Sequence, residues 1–189
     1  MNIGLYFGSF NPVHLGHLII ANYIIEHSHL DKIWFVVSPH NPLKQTSSLL
    51  NEYNRLHLVE IAIKGNNKFR ASNVEFGLPK PSYTIDTLTY LQEKFPHEKF
   101  SVIMGSDSYQ NLGRWKNYEQ LLKHYPVIVY QRPGHEVSEK LSEQTYLLDA
   151  PLIEISATMI RKMIKEHKSI RYLLPDEVID YINENGYYL

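Results

Sequence analysis

The chain predicts an α/β fold with a doubly wound, mostly parallel sheet, and three observations predict it. Short apolar runs of strand length alternate with stretches at helical spacing along most of the 189 residues. A first run, a loop, a helix and a second run follow one another between Ile3 and Val37, roughly the 30 or more residues of a βαβ unit. Hydrophobic residues make up 43% and charged residues 21%, a globular composition with enough apolar side chains to cover both faces of a sheet. Together these predict a Rossmann-like architecture. The expectation is a single domain over residues 1–189, with a small C-terminal helical segment from about 156 to 189.

The elements follow in order. Ile3 to Gly8 is a short apolar run ending in turn chemistry, hence a strand. Ser9-Phe10-Asn11-Pro12 is a loop, because Gly8, Asn11 and Pro12 favour non-helical backbone. From Val13 to His29, Leu15, Leu18, Ile19, Tyr23 and Ile24 fall at helical spacing. Ile33 to Val37 is the second strand, and the crossover between the two is right-handed. Asn51 to Lys64 is helical, Phe69 to Val74 a strand, and Tyr83 to Phe95 a helix closed by Pro96. Phe100 to Met104 is a buried strand, followed by Gly105-Ser106-Asp107. Tyr118 to His124 is a helix and Pro126 to Tyr130 a strand. Tyr146 to Leu148 and Leu152 to Ile155 are one or two short strands. Ser156 to His167 and Pro175 to Asn185 are helices, the last with Pro175 near its start and Gly186 past its end.

Composition excludes several functions. With no cysteine there is no disulfide scaffold, thiol nucleophile or thiolate metal site, and a reducing compartment suits the chain. The net charge of −1 provides no bulk field toward nucleic acid or an anionic membrane, so neither is expected as a partner. No run approaches the ~18 apolar residues of a membrane span, and the N-terminus lacks the basic region of a signal peptide. A soluble, unprocessed, cytoplasmic protein is the expectation.

In folds of this class ligands bind at the carboxyl ends of the strands, where strand order reverses. The residues just after each strand are therefore the candidates. After the first strand comes Gly8-Ser9-Phe10-Asn11-Pro12-Val13-His14-Leu15-Gly16-His17. It is neither a G-x-G-x-x-G fingerprint nor a P-loop. It places two histidines, three residues apart, on one face of a helix start, where free amides and the dipole attract anions. Zinc binding is a second reading, although HxxH lacks the HExxH spacing and no third ligand is evident. Histidines without chemistry are a third. Near the C-terminus, Ser156 is a good N-cap and Arg161 lies one and a half turns into its helix. Together they make a second anion site, or else a capped surface helix with a solvated arginine.

HxGH after the first strand and Ile155-Ser156-Ala157-Thr158-Met159-Ile160-Arg161 near the end together resemble the nucleotidyltransferase α/β phosphodiesterase superfamily. Within it the chain resembles the bacterial nicotinate-nucleotide adenylyltransferases along nearly its whole length. Residues 7–14 are similar to the family's GGTFDPxH, with Phe7 in place of the first glycine and Asn11 in place of the aspartate. Residues 82–88 resemble its SYTxDTL, and Met104-Gly105-Ser106-Asp107 its G-x-D. Trp115, Arg132-Pro133-Gly134 and Leu174-Pro175-Asp176-Glu177-Val178 also match. The family's PPHK appears as the longer Pro39-His40-Asn41-Pro42-Leu43-Lys44.

The resemblance implies adenylyl transfer from ATP to nicotinate mononucleotide, with magnesium carried on the ATP phosphates and no protein-held metal. His14, His17 and Arg161 are implied as catalytic. Gly8, Ser9, Phe10, His14, His17, Gly105, Asp107, Ser156, Thr158 and Arg161 are implied for ATP. Ser9, Lys44, Thr84, Trp115 and Arg132 are implied for the mononucleotide. Competing structural roles are core packing for Trp115 and helix capping for Thr84 and Asp107. A pantetheine-phosphate adenylyltransferase or a cytidylyltransferase shares HxGH, but residues 82–88 and Trp115 speak against them. A non-catalytic nucleotide-binding module is the contrasting class, and the intact His14, His17 and Arg161 speak against that. Oligomeric state is not legible.

Overall fold

The computed structural model describes residues 1–39 and 49–189. Among the described residues six strands form one sheet: β1 (Asn2–Gly8), β2 (Lys32–Val37), β3 (Phe69–Ser72), β4 (Lys99–Gly105), β5 (Val127–Tyr130) and β6 (Thr145–Leu148). Their order is β3-β2-β1-β4-β5-β6. All five pairings are parallel, so the sheet is wholly rather than mostly parallel. This is the doubly wound α/β fold.

Alternation along each strand builds two cores. Ile33, Phe35 and Val37 of β2 enter one hydrophobic cluster, while Trp34 and Val36 enter the other. β4 divides the same way, with Ile103 on the first side and Phe100, Val102 and Met104 on the second. Because both faces are buried, such strands read as continuous apolar runs. The first face is covered by α1 (Leu15–Glu26), α2 (Glu52–Ala62), α6 (Ala157–Lys165) and α7 (Asp176–Glu184). The second is covered by α3 (Thr84–Lys94), α4 (Ser106–Gln110) and α5 (Tyr118–His124). Gly186 takes a left-handed φ of 62° just past α7, as its place after the helix implied.

The structure corrects four boundaries. The first helix starts at Leu15, not Val13, because His14 is extended (φ −146°, ψ 169°) and acts as its N-cap residue. Val74 opens a 3-10 turn, Val74–Gly77, instead of ending β3. Leu152–Ile155 forms no strand. It follows β6, which pairs only with β5, and Pro151 has no N–H to offer a ladder. The five-residue α4 directly after β4 was not expected, being too short to show a helical period.

Candidate active site

Strand order reverses between β1 and β4, and the cleft opens at their carboxyl ends. Its volume is about 1010 Å³, and a recess of about 240 Å³ adjoins it at Asp107, Arg132, His135, Ile155 and Ser156. The loop after β1 forms the floor. Phe10 takes a left-handed φ of 44°, and its ring packs beneath the loop on Tyr6, His17 and Phe35. At 1% exposed, this side chain supports the loop from below and does not reach out to a ligand. Gly8 lies directly above it, and a Cβ there would meet the Phe10 ring at 2.8 Å.

The two histidines stack with ring centroids 3.7 Å apart. His17 Nδ1 accepts the backbone N–H of His14 at 3.2 Å, which leaves the proton of the neutral ring on Nε2. His14 is 6% exposed, and its Nδ1 has no hydrogen-bond partner. Burial, helped by the positive charge of Arg132, lowers its pKa to about 4. It is therefore neutral at physiological pH. Gly16 is closely packed, since a Cβ would lie 3.0 Å from His14 Nδ1 and 3.3 Å from Ile153 Cγ2. The glycine of HxGH is thus the seat of the first histidine.

Two arginines fix this loop. Arg161 donates to the Asn11 carbonyl at 2.8 Å and to Thr158 Oγ1 at 3.2 Å. It is half-buried and folded back on its own helix start, not a solvated side chain. Ser156 caps that helix by accepting from Met159 N–H at 3.2 Å, as its residue type implied. Sequence reasoning missed Arg55. It is fully buried, donating to the carbonyls of Ser9, Ser38, Pro39 and Leu50. It thereby ties the turns after β1 and β2 together. A signal existed, because Arg55 shares the buried face of α2 with Leu58 and Val59 at i+3 and i+4. Asn11, standing where the family has aspartate, is 5% exposed and accepts the Leu50 N–H at 3.1 Å.

On the β4 side, Asp107 pairs with Arg132 at 3.2 Å. Asp107 does not cap α4, whose N-cap residue is Gly105. Gly105 is again a matter of space, since a Cβ would sit 2.5 Å from Asp107 Oδ1 and 2.6 Å from Arg132 Cδ. Arg132, implied for the mononucleotide, stands with Asp107 and Ser156, residues implied for ATP. Ser9, Thr84, Trp115 and Thr158 all line the main cleft. Trp115 packs against the second core and also lines the cleft. Thr84 is the first residue of α3 and not its cap. The N-cap residue is Tyr83, which lends no side-chain hydrogen bond. Lys44 lies outside the described residues.

Two further groups gave no sequence signal. The Tyr6 and Tyr130 hydroxyls meet at 3.0 Å in the buried wall of the cleft, one from β1 and one from β5. Glu75, in the 3-10 turn, is 2% exposed and also borders the cleft. Burial pushes its carboxyl above the usual carboxylate range, partly opposed by the hydroxyls of Ser38, Thr87 and Ser82. No group of three or more His, Asp or Glu able to hold a metal ion occurs among the described residues, so a zinc reading of the histidine pair has no third ligand there. No helix of the described residues is long and apolar enough to cross a membrane.

A cytidylyltransferase-like family model matches residues 5–163. The probable nicotinate-nucleotide adenylyltransferase of Cytophaga hutchinsonii is 52% identical, over 100% of this chain and 98% of that one. The protein of the same name from Flavobacterium psychrophilum is 48% identical, over 100% and 99%. Among solved structures, Plasmodium falciparum nicotinic acid mononucleotide adenylyltransferase complexed with NaAD aligns with a TM-score of 0.84 at 23% identity. The alignment spans 99% of this chain and 97% of that one, and it bears on the fold. With a family model over most of the chain and close relatives over its full length, the chain belongs to the nicotinate-nucleotide adenylyltransferases of the cytidylyltransferase-like family.

Proposed function

We propose that the chain transfers the adenylyl group of ATP to nicotinate mononucleotide, giving nicotinate adenine dinucleotide and pyrophosphate. One observation carries the reading. The stacked histidines, the Arg161 helix start and the Trp115–Thr84 wall all border a single cleft. A phosphate oxygen of the mononucleotide attacks the α-phosphorus of ATP, and the bond to the β-phosphate oxygen breaks. The nucleophile is already charged near neutral pH, since its second pKa is ~6, so no general base is needed. The protein's part is positioning and charge neutralisation. His17, with its proton on Nε2, donates to the reacting phosphate, and His14 contributes as a neutral donor. Ser9, Gly8 and the loop backbone face phosphate oxygens. Arg161, Ser156 and Thr158 hold the departing phosphates, and Asp107 with Gly105 meets the adenosine ribose.

Magnesium enters as part of the ATP substrate, with phosphate and water as its preferred hard ligands. Trp115 stacks on the pyridine ring, and the amides at the start of α3 take its carboxylate. Arg132, paired with Asp107, goes with the ATP end in this reading. A cytoplasmic location, where ATP is supplied, goes with the proposal.

The test is pyrophosphate release with ATP and three acceptors: nicotinate mononucleotide, nicotinamide mononucleotide and phosphopantetheine. The acid is expected to be preferred over the amide by at least about tenfold in kcat/KM, the worth of one mispaired buried hydrogen bond of ~1.4 kcal/mol. Equal values would remove the acid-reading site. Turnover on phosphopantetheine alone would replace the substrate assignment.

A further inference from the structure

Glu75 is a buried carboxylic acid that the mechanism above does not use. It sits in the turn Val74–Gly77, twelve residues from its partner in α3. Thr87 Oγ1 donates to Glu75 Oε1 at 2.9 Å. The same hydroxyl lies 3.3 Å from the carbonyl of Tyr83, the N-cap residue of α3. Thr87 is itself fully buried. Glu75 Oε2 and the neighbouring Ser82 Oγ are both buried without a hydrogen bond of ordinary geometry. Both atoms are buried, although the two residues border the cleft.

What these groups do control is a helix start. The first-turn amides of a helix, here Thr84 and Ile85, have no acceptor inside it. Tyr83 supplies none from its side chain. The direction in which those amides point depends on how the turn is held from outside, and Glu75 acting through Thr87 is a buried hold, beside the exposed Asp86–Lys116 ion pair and Lys116 over the Tyr83 ring.

We propose that Glu75 is a positioning residue for the pyridine end of the cleft. Through Thr87 it orients the first turn of α3, and so the amides that receive the carboxylate of nicotinate mononucleotide. The inference rests on the function proposed above. It concerns one substrate only, because the ATP end is built from the β1–α1 loop, β4 and α6.

The experiment compares wild type with Glu75→Ala, Glu75→Gln and Thr87→Val, each checked for native circular dichroism, with KM measured separately for the two substrates. Glu75→Ala and Thr87→Val are expected to raise KM for nicotinate mononucleotide by roughly three- to tenfold, the range of one lost hydrogen bond. KM for ATP and kcat should stay within about twofold. Glu75→Gln keeps an acceptor for Thr87 and should restore most of the affinity. Should Glu75→Ala not fold, Thr87→Val, close to isosteric, carries the same expectation. An unchanged mononucleotide KM in Thr87→Val, or equal losses for both substrates, overturns the inference. Wild-type enzyme with no turnover on nicotinate mononucleotide overturns the proposed function instead, and the inference with it.

Discussion

The helix starts of α6 and α3 both border the cleft, and they are held in opposite ways. At α6 the cap is local, with Ser156 on Met159 N–H and Arg161 folded back on Thr158, and Arg161 adds one long-range tie to the Asn11 carbonyl. At α3 the cap residue Tyr83 lends no side chain, and the turn is tied from a separate element by Glu75 through Thr87. A locally capped end brings its geometry with it wherever it is placed. An externally held end is only as well placed as its holder, which lets distant residues tune one substrate without the other. Between them lies α1, whose N-cap residue is the buried, neutral His14.

The largest effect should come where both substrates meet. His17→Ala is expected to keep the fold and lose ~10²–10³ in kcat, the usual cost of one transition-state donor. Steady-state pyrophosphate release measures it, and near-normal turnover would take the α1 start out of the chemistry. His14 offers a pH handle on the same element. Its folded pKa of about 4 lies below the ordinary 6.5, so the folded state binds fewer protons. Its contribution is complete above pH 6.5 and drains as pH falls toward 4, by about 3 kcal/mol at most. Urea unfolding at pH 7 and 4.5 should show wild type losing more stability than His14→Gln, and equal losses would contradict the buried neutral ring.

The comparison itself is sharpened by Arg161→Ala. Binding of ATP should weaken by about tenfold, with mononucleotide binding nearly intact, because a charge-assisted contact is lost at one end only. Competition titration reads this, and the opposite pattern would exchange the two ends of the cleft. The smallest effect concerns the caps. Ser156→Ala should cost about 1 kcal/mol in urea unfolding, as lost helix caps do. Tyr83→Phe should cost far less, and similar costs would erase the distinction between the two helix starts.

Much of the architecture was legible because it rests on short-range chemistry. The strands of the doubly wound sheet, the Ser156 cap and the Pro175–Gly186 bracket all express contacts or spacings within a few residues. The spacing of HxGH put two histidines on one helix start, and the resemblance then lent the histidines their role. Where Leu152–Ile155 misled, an apolar run met Pro151 and a sheet edge, and period alone does not know where a sheet ends. The space around Gly16 and Gly105 was only partly legible: a local side chain, His14 or Asp107, crowds each position, but the fold brings in a second one, Ile153 at Gly16 and Arg132 at Gly105.

The sequence by itself determined the alternation of strands and helices and the residues at the strand ends, since periodicity and capping act over a turn or two of chain. Only the tertiary structure decided which of those ends share a cleft. It joined Arg161 to Asn11 across 150 residues, Tyr6 to Tyr130 across 124, and Arg55 to Ser9 across 46. These pairs depend on the strand order that sets β1 beside β4 and on α2, α6 and α7 packing over one face. A guanidinium will satisfy any carbonyl it can reach, so its residue type names no partner. Burial supplies the reason the partner must exist, because a charged group out of water has to be hydrogen-bonded, and the packing of the sheet supplies the partner.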